Sequence, residues 1–266
     1  MFDKLVKDYY GFDTYAGDLG IEVEMESNEA GFPVAPAGWK SEHDGSLKAL
    51  FATEYVTSKP VKAEDYVAVL NRLKKRVKDI PLLNSVRAGV HVHVNCGEMT
   101  VNEMLRFAMT YMVMEIPLVK YCGPDREGNL FCLRAIDAEF MPHRLHEAIS
   151  KQKLQGLTNN NNLVRYSSIN FNSLQKYGSL EFRSMRTNTG LHKIEEWIEM
   201  LLRIRDYSST LPTASQIAYE ISLKSPSNWA EDILGTDLFK EINYEGFEKD
   251  IMKGLRAIQP SLFNGV

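Results

Sequence analysis

Residues 19–25 read Leu19-Gly20-Ile21-Glu22-Val23-Glu24-Met25. Leu19, Ile21, Val23 and Met25 alternate with Glu22 and Glu24, a period of two that predicts a half-buried β-strand. Further along, Val90-His91-Val92-His93-Val94-Asn95 repeats the pattern, with three valines against His91, His93 and Asn95. Ser179 to Met185 repeats it again and carries Glu181 and Arg183, and Ser167 to Asn172 carries Asn170 and Asn172. Phe51 to Thr57 is a further candidate strand, bearing Glu54 and stopped by Lys59-Pro60. Side chains at i and i+2 of a strand point the same way. The apolar sets therefore share one face, which must meet a core, and the polar sets share the other, which must line water or a ligand.

The segments between these strands have helical spacing. Helices are predicted over 63–77, 101–121 (with a bend near Pro117), 143–154 and 191–207, and several short ones after about 214. The 167–172 and 179–185 strands, joined around Lys176-Tyr177-Gly178, are expected to form a hairpin. The order lacks a regular βαβ rhythm, so the expected class is α+β with a largely antiparallel sheet. Neither GxGxxG nor GxxxxGK[ST] occurs, which argues against a doubly wound dinucleotide fold and a P-loop.

The 266 residues are 44% hydrophobic and 25% charged, with a net charge of -4, an ordinary composition for a soluble globular chain. General nucleic-acid binding is not indicated. The short basic run of Arg72, Lys74, Lys75, Arg76 and Lys78 reads as the solvated face of a helix. Three cysteines without CxxC spacing exclude a disulfide framework and a zinc ribbon, and point to a reducing cytoplasm. The N-terminus does not resemble a signal peptide. The most apolar stretch, 104–119, contains Arg106 and Glu115 and is short for a bilayer, so it reads as a core helix without membrane association.

Taken singly, Glu22-x-Glu24 is commonly the solvent face of a strand, His91-x-His93 is ambiguous, and Glu181-x-Arg183 is ordinary charge pairing. Three such pairs on separate strands are harder to assign to coincidence, because facing carboxylates repel unless a cation sits between them. The donor set of Glu22, Glu24, Glu54 and Glu181 with one or two imidazoles is dominated by oxygen, which suits Mg2+ or Mn2+ better than zinc. A zinc hydrolase built on His91 and His93 remains an alternative, but leaves the extra carboxylates unexplained. Arg165, Arg183 and Arg186 match phosphate oxygens bidentately. Divalent cations beside arginines point to phosphoryl transfer.

Six segments occur in a fixed order: Gly20-Ile-Glu-Val-Glu24, His43-Asp-Gly-Ser-Leu47, Glu54-Tyr-Val-Thr-Ser-Lys-Pro60, Ala88-Gly-Val-His-Val-His-Val94, Arg165-Tyr-Ser-Ser-Ile-Asn-Phe-Asn172 and Ser179-Leu-Glu-Phe-Arg183. Together, across about 15–205, they resemble the amidoligase family of the carboxylate–amine ligase superfamily, which includes glutamine synthetase and glutamate–cysteine ligase. The resemblance implies a glutamine synthetase-like catalytic domain; the chain 1–266 is expected as one such domain, and the tail after about 210, read above as helical, matches none of the family's segments. It also implies a curved sheet with helices on one face and, on the other, ATP and two or three Mg2+ ions. By that resemblance Glu22 shares a metal with His91 and Glu181, and Glu24 shares one with Glu54. His93, Asn95 and Arg165 lie near the nucleotide, and Arg183 with Arg186 holds the transferring phosphate. Asp44 either shapes a turn or orients the amine, and either Arg126 or Arg134 meets the substrate carboxylate. The implied reaction joins a carboxylate to an amine through an acyl phosphate, under a mobile flap at 159–162 or 122–142. A guanidino phosphotransferase on the same scaffold is the other enzymatic alternative.

Overall fold

The computed structural model describes residues 2–13, 16–138, 140–158, 166–189 and 191–264. Its centre is a six-stranded antiparallel sheet formed by β1 (Leu19–Ser27), β2 (Trp39–Glu42), β3 (Phe51–Thr57), β4 (Gly89–Asn95), β5 (Ile169–Asn170) and β6 (Ser179–Arg186). The strand order is β2-β3-β1-β4-β6-β5, and every neighbouring pair is antiparallel. The fold is therefore α+β, as the mixed order of strands and helices predicts. The alternation sorts as its period requires. Leu19, Ile21, Val23, Val90, Val92, Val94, Leu180 and Phe182 are all buried in the core.

Helices make up the rest of the regular structure, and the longest of them pack on that apolar face. They are α1 (Val6–Tyr10), α2 (Tyr66–Val77), α3 (Val101–Cys122), α4 (Phe140–Lys151), α5 (Ser173–Tyr177), α6 (Leu191–Thr210), α7 (Ser215–Lys224), α8 (Pro226–Ile242) and α9 (Phe247–Leu262). A capping box starts α3: Thr100 Oγ1 accepts from the Glu103 N–H (3.2 Å), and the Glu103 carboxylate accepts from the Thr100 N–H (2.7 Å). The helix is buried on nearly every side. Phe107 and Tyr111 pack on Phe182 of β6 with ring centroids 5.3 and 4.7 Å apart. The opposite side meets α9, where Gly254 lies against the Val113 carbonyl. Pro117 runs within α3 without interrupting it. Lacking an N–H, Pro117 leaves the Val113 carbonyl without its usual helical donor. Side chains from the sheet, α3 and the three C-terminal helices join one hydrophobic cluster. Among the described residues no helix is long and apolar enough to cross a membrane.

One local expectation needs correction, and one strand had none. The hairpin is interrupted: β5 is two residues long and α5 occupies the connection. The Asn170 carboxamide oxygen accepts from the Asn172 N–H (3.0 Å), and Ser173 Oγ donates to the Asn170 carbonyl (3.1 Å). These side chains take over backbone bonding that a strand would use. The edge strand β2 has no alternating signature, because only Trp39 of its four residues is buried.

Candidate active site

The face of the sheet left uncovered by helices carries the ionisable groups. Register fixes who meets whom: Glu22 faces His91 across β1–β4, Glu24 faces Glu54 across β1–β3, and His93 faces Glu181 across β4–β6. Glu22 lies at the centre. Its two carboxylate oxygens accept from different imidazoles, Oε2 from His91 Nδ1 (3.1 Å) and Oε1 from His93 Nε2 (3.2 Å). Burial opposes ionisation of Glu22, but the two histidine hydrogen bonds outweigh it and hold the carboxyl below its ordinary range. Burial likewise opposes charge on Glu181, and Arg183, His93 and His91 lower it on balance. Asn170 Nδ2 donates to Glu181 Oε2 (2.7 Å) and Arg183 Nη1 to Oε1, so this carboxylate is fixed from both sides. His93 is raised above its ordinary value, with the bond to Glu22 and the field of Glu181 overcoming its burial.

The carboxylates toward β3 behave in the opposite sense. Glu54 is pushed up to about 8 by burial and by the charges of Glu22, Glu24, Asp44 and Glu42. Glu24 is raised chiefly by burial, partly offset by His91 and by the Gly89 N–H, which donates to its Oε2 (2.8 Å). Crowded, partly desolvated carboxylates of this kind lose their repulsion when a cation enters. Among the described residues two groups have ligand atoms within 4.8 Å of one another, Glu22–Glu54–His91 and Glu22–His93–Glu181. Glu22 is common to both sets, Glu54 joins His91 and His93 joins Glu181, while His91 Nδ1 also lies 3.7 Å from Glu181 Oε1 and 3.1 Å from Glu22, the neighbours expected of it. Both histidines bond the one Glu22 carboxylate.

Asp44 closes its turn by accepting from the Ser46 N–H (2.8 Å) and Oγ (2.7 Å), and it also hydrogen-bonds with Glu24. It therefore shapes a turn and faces the acidic cluster at once. Asn95 is used structurally: its carboxamide accepts from the Gly97 N–H (2.9 Å) and donates to the Gly17 carbonyl (2.8 Å). Arg186 forms an ion pair with Asp125 (2.5 Å). Arg165 and the 159–162 flap candidate lie outside the described residues. Arg126 and Arg134 part company: Arg134 pairs with Asp137 (2.5 Å), whereas Arg126 is 2% exposed and sits under the end of β4. There Arg126 Nη2 donates to the carbonyls of Ala88 (3.1 Å) and Met185 (3.0 Å). Gly89 makes room for it, since a Cβ at that position would lie 2.9 Å from Arg126 Nη2.

Over residues 39–205 the chain matches a family model described as "Putative amidoligase enzyme". The chain belongs to this amidoligase family. No curated protein matches it. The family match includes Glu54, His91, His93, Glu181 and Arg183, but begins after β1. Glu22 and Glu24 join the amidoligase site through strand register alone.

Residues outside the sequence reading also build the site. Glu26 continues the Glu22–Glu24 row and accepts from the Lys48 (2.5 Å) and Ala49 (2.8 Å) N–H groups, which holds the loop bearing Asp44. Its signal was present as the third acidic residue at i+2. Tyr177 packs edge-on to His93, with centroids 5.7 Å apart. Beside them lies a cavity of ≈ 340 Å³ lined by Glu22, Lys40, Val56, Lys59, His93 and Tyr177, large enough for a small-molecule ligand. Arg87 had no sequence signal, since nothing in the chain around it repeats or alternates.

Proposed function

We propose that this amidoligase joins a carboxylate to an amine, using ATP and Mg2+, or Mn2+ in its place. The observation that carries the reading is the convergence of Glu22, Glu24, Glu54, His91, His93 and Glu181 from four strands onto one face. The donors fit such ions: most are carboxylate oxygens, and Glu54 is pushed up to about 8 by its acidic neighbours. Bound Mg2+ and ATP would supply charge neutralisation and the γ-phosphoryl group that converts a carboxylate into an acyl phosphate. Glu22, Glu54, His91, His93 and Glu181 would hold the ions. Lys40, Lys59 and Tyr177 around the ≈ 340 Å³ cavity offer cations and a ring to the nucleotide.

The remaining roles belong to the side chains themselves. Arg183 is clamped by Glu181, so its guanidinium would meet developing negative charge without first having to be ordered. An ammonium has no lone pair with which to attack, so the amine must lose a proton. Asp44 would be the acceptor: it faces the acidic cluster, and bonds from Ser46 and Glu24 keep it ionised against its burial. An acyl phosphate formed here would have to be kept from water. The three cysteines are buried free thiols, which fits work in a reducing cytoplasm.

The test is thermal unfolding with ATP and Mg2+, each alone and together, for the wild type and Glu22→Ala. Ligand at a hundred times its dissociation constant adds about 2.7 kcal/mol of stability. A rise that requires both components and disappears in Glu22→Ala is expected. Equal behaviour of the two proteins would remove the metal–nucleotide assignment.

A further inference from the structure

Glu115 lies within α3, the helix buried in the core, and is 1% exposed. A buried carboxyl carries a desolvation cost that an apolar side chain of similar size does not, so the packing of α3 gives no reason for it. Its two oxygens tie separate chain segments to the helix. Oε2 accepts from the Ala135 N–H (2.8 Å), in the stretch between α3 and α4, and Oε1 accepts from the hydroxyl of Ser168, the residue before β5. Tyr111, one turn earlier in α3, also donates to Ser168 Oγ (3.4 Å). An ionised Glu115 accepts both bonds. A protonated one keeps the Ala135 bond and turns its own O–H to Ser168 Oγ, so the bridge holds in either state.

Ser168 is where that bridge reaches the site. Its N–H donates to the Leu133 carbonyl (2.8 Å), and its carbonyl accepts from the Arg183 N–H (2.9 Å). Two residues on, Asn170 Nδ2 donates to Glu181 Oε2 (2.7 Å). β5, which carries Asn170, is two residues long and pairs with β6 at the edge of the sheet. A strand that short has few ladder bonds of its own, so its place against β6 depends on what anchors its two ends. At the far end Asn170 and Ser173 bond nearby backbone. At the near end the side-chain anchor is Ser168 on Glu115. The same helix meets β6 from the apolar side, where Tyr111 packs on Phe182, the residue between Glu181 and Arg183, with centroids 4.7 Å apart. α3 thus reaches both strands that set the orientation of Glu181.

We infer that Glu115 is a positioning residue of the site: through Ser168 it holds β5 against β6, and so fixes the Glu181 carboxylate and the backbone at Arg183. That Glu181 holds an ion rests on the ligase reading; the anchoring of β5 does not. Two measurements on the full chain test it, hydrogen–deuterium exchange without metal and calorimetric titration with Mn2+ alone, for the wild type, Glu115→Leu, Glu115→Gln and Ser168→Ala. Glu115→Leu and Ser168→Ala should speed exchange in 166–172 and 179–186 about ten-fold, leave β1 and β3 as protected as in the wild type, and weaken Mn2+ about ten-fold or more. Glu115→Gln keeps an acceptor for Ala135 and a donor for Ser168, and should retain the wild-type affinity and exchange pattern. A merely structural role would lower the unfolding midpoint and speed exchange throughout the sheet, with the Mn2+ affinity of the folded chain unchanged. That outcome overturns the inference. So does a Glu115→Gln as impaired as Glu115→Leu, or a Ser168→Ala with wild-type exchange at 179–186. Should Glu115→Leu fail to fold, Ser168→Ala against Glu115→Gln carries the same comparison. A wild type that takes up no Mn2+ removes the metal assignment of Glu181, and the exchange pattern then decides the anchoring by itself.

Discussion

Replacing Glu54 by Gln should stabilise the protein in the presence of a chelator and weaken its response to divalent cations. Glu54 faces Glu24 on one neighbouring strand and Glu42 on the other. Burial and these carboxylates push its carboxyl from 4.5 to about 8. Between those values the folded chain keeps a proton that the unfolded chain has released. Stability is therefore full below pH 4.5 and falls as pH rises through 8. At about 1.4 kcal/mol per pH unit the span from 4.5 to about 8 sets a ceiling near 5 kcal/mol. Part of Glu54 remains in water, and screening there reduces the expected loss to about 1–2 kcal/mol. Glutamine keeps the shape and never ionises. Glu54→Gln should match the wild type at pH 4 and exceed it at pH 8.5 by about 2–6 °C in Tm. Unfolding can be followed by the fluorescence of Trp197 and Trp229, both fully buried. Added Mg2+ or Mn2+ should reverse the order, because the ion gains a ligand only in the wild type. A variant less stable than the wild type at pH 8.5 with chelator, or one equally stabilised by Mg2+, would refute the reasoning.

Two further substitutions probe the scaffold. Glu115 on α3 is fully enclosed; burial pushes it to about 7 despite hydrogen bonds from Ser168 and the Ala135 N–H. Its proton is retained in the folded chain between pH 4.5 and 7, so stability falls across that window. Glu115→Gln should remove that slope and gain about 2–3 kcal/mol at pH 8, read from denaturant midpoints at several pH values; parallel slopes in both proteins would exclude it. Gly254→Ala would set a Cβ 2.4 Å from the Val113 carbonyl of α3. It should cost about 1–3 kcal/mol and loosen α9 in hydrogen exchange, whereas Gly156→Ala, with nothing within 4 Å of the added carbon, should cost little; equal midpoints for the two variants would count against the close helix contact.

What the sequence disclosed follows from which residues have one-sided surroundings. β1, β4 and β6 were legible because each meets core on one face and polar groups on the other, so burial wrote a period of two. Edge strand β2 has no such contrast. The interruption of β5 depends on Asn170 and Ser173 bonding to nearby backbone, which residue type alone does not fix. The ionisable residues were visible as three pairs, but the pairs alone do not show Glu22 dividing its two oxygens between His91 and His93, which is a property of register. Arg126 and Arg134 were indistinguishable along the chain, because only the fold places Gly89 where its missing Cβ admits a guanidinium.

Arg183 and Arg186 make the same point through parity. They are three residues apart, so in a regular strand they would leave opposite faces. The ladder between β4 and β6 shifts between the Val90–Met185 and Val92–Phe182 pairs, which gives β6 one residue more than β4 at that step. The extra residue restores Met185 to the core beside Val90, and turns Arg186, opposite Gly89, toward the same side as His91 and Arg183. Without the bulge, one arginine or the buried methionine would face the wrong way. The bulge therefore keeps an unbroken apolar face while crowding positive charge at one end of an acidic one. There Arg183 holds Glu181, and Arg186 holds Asp125 on the segment that delivers Arg126. The acidic end near Glu22 and the basic end near Arg126 are thereby set on one continuous surface, as the proposed reaction between a phosphoryl donor and a carboxylate would need.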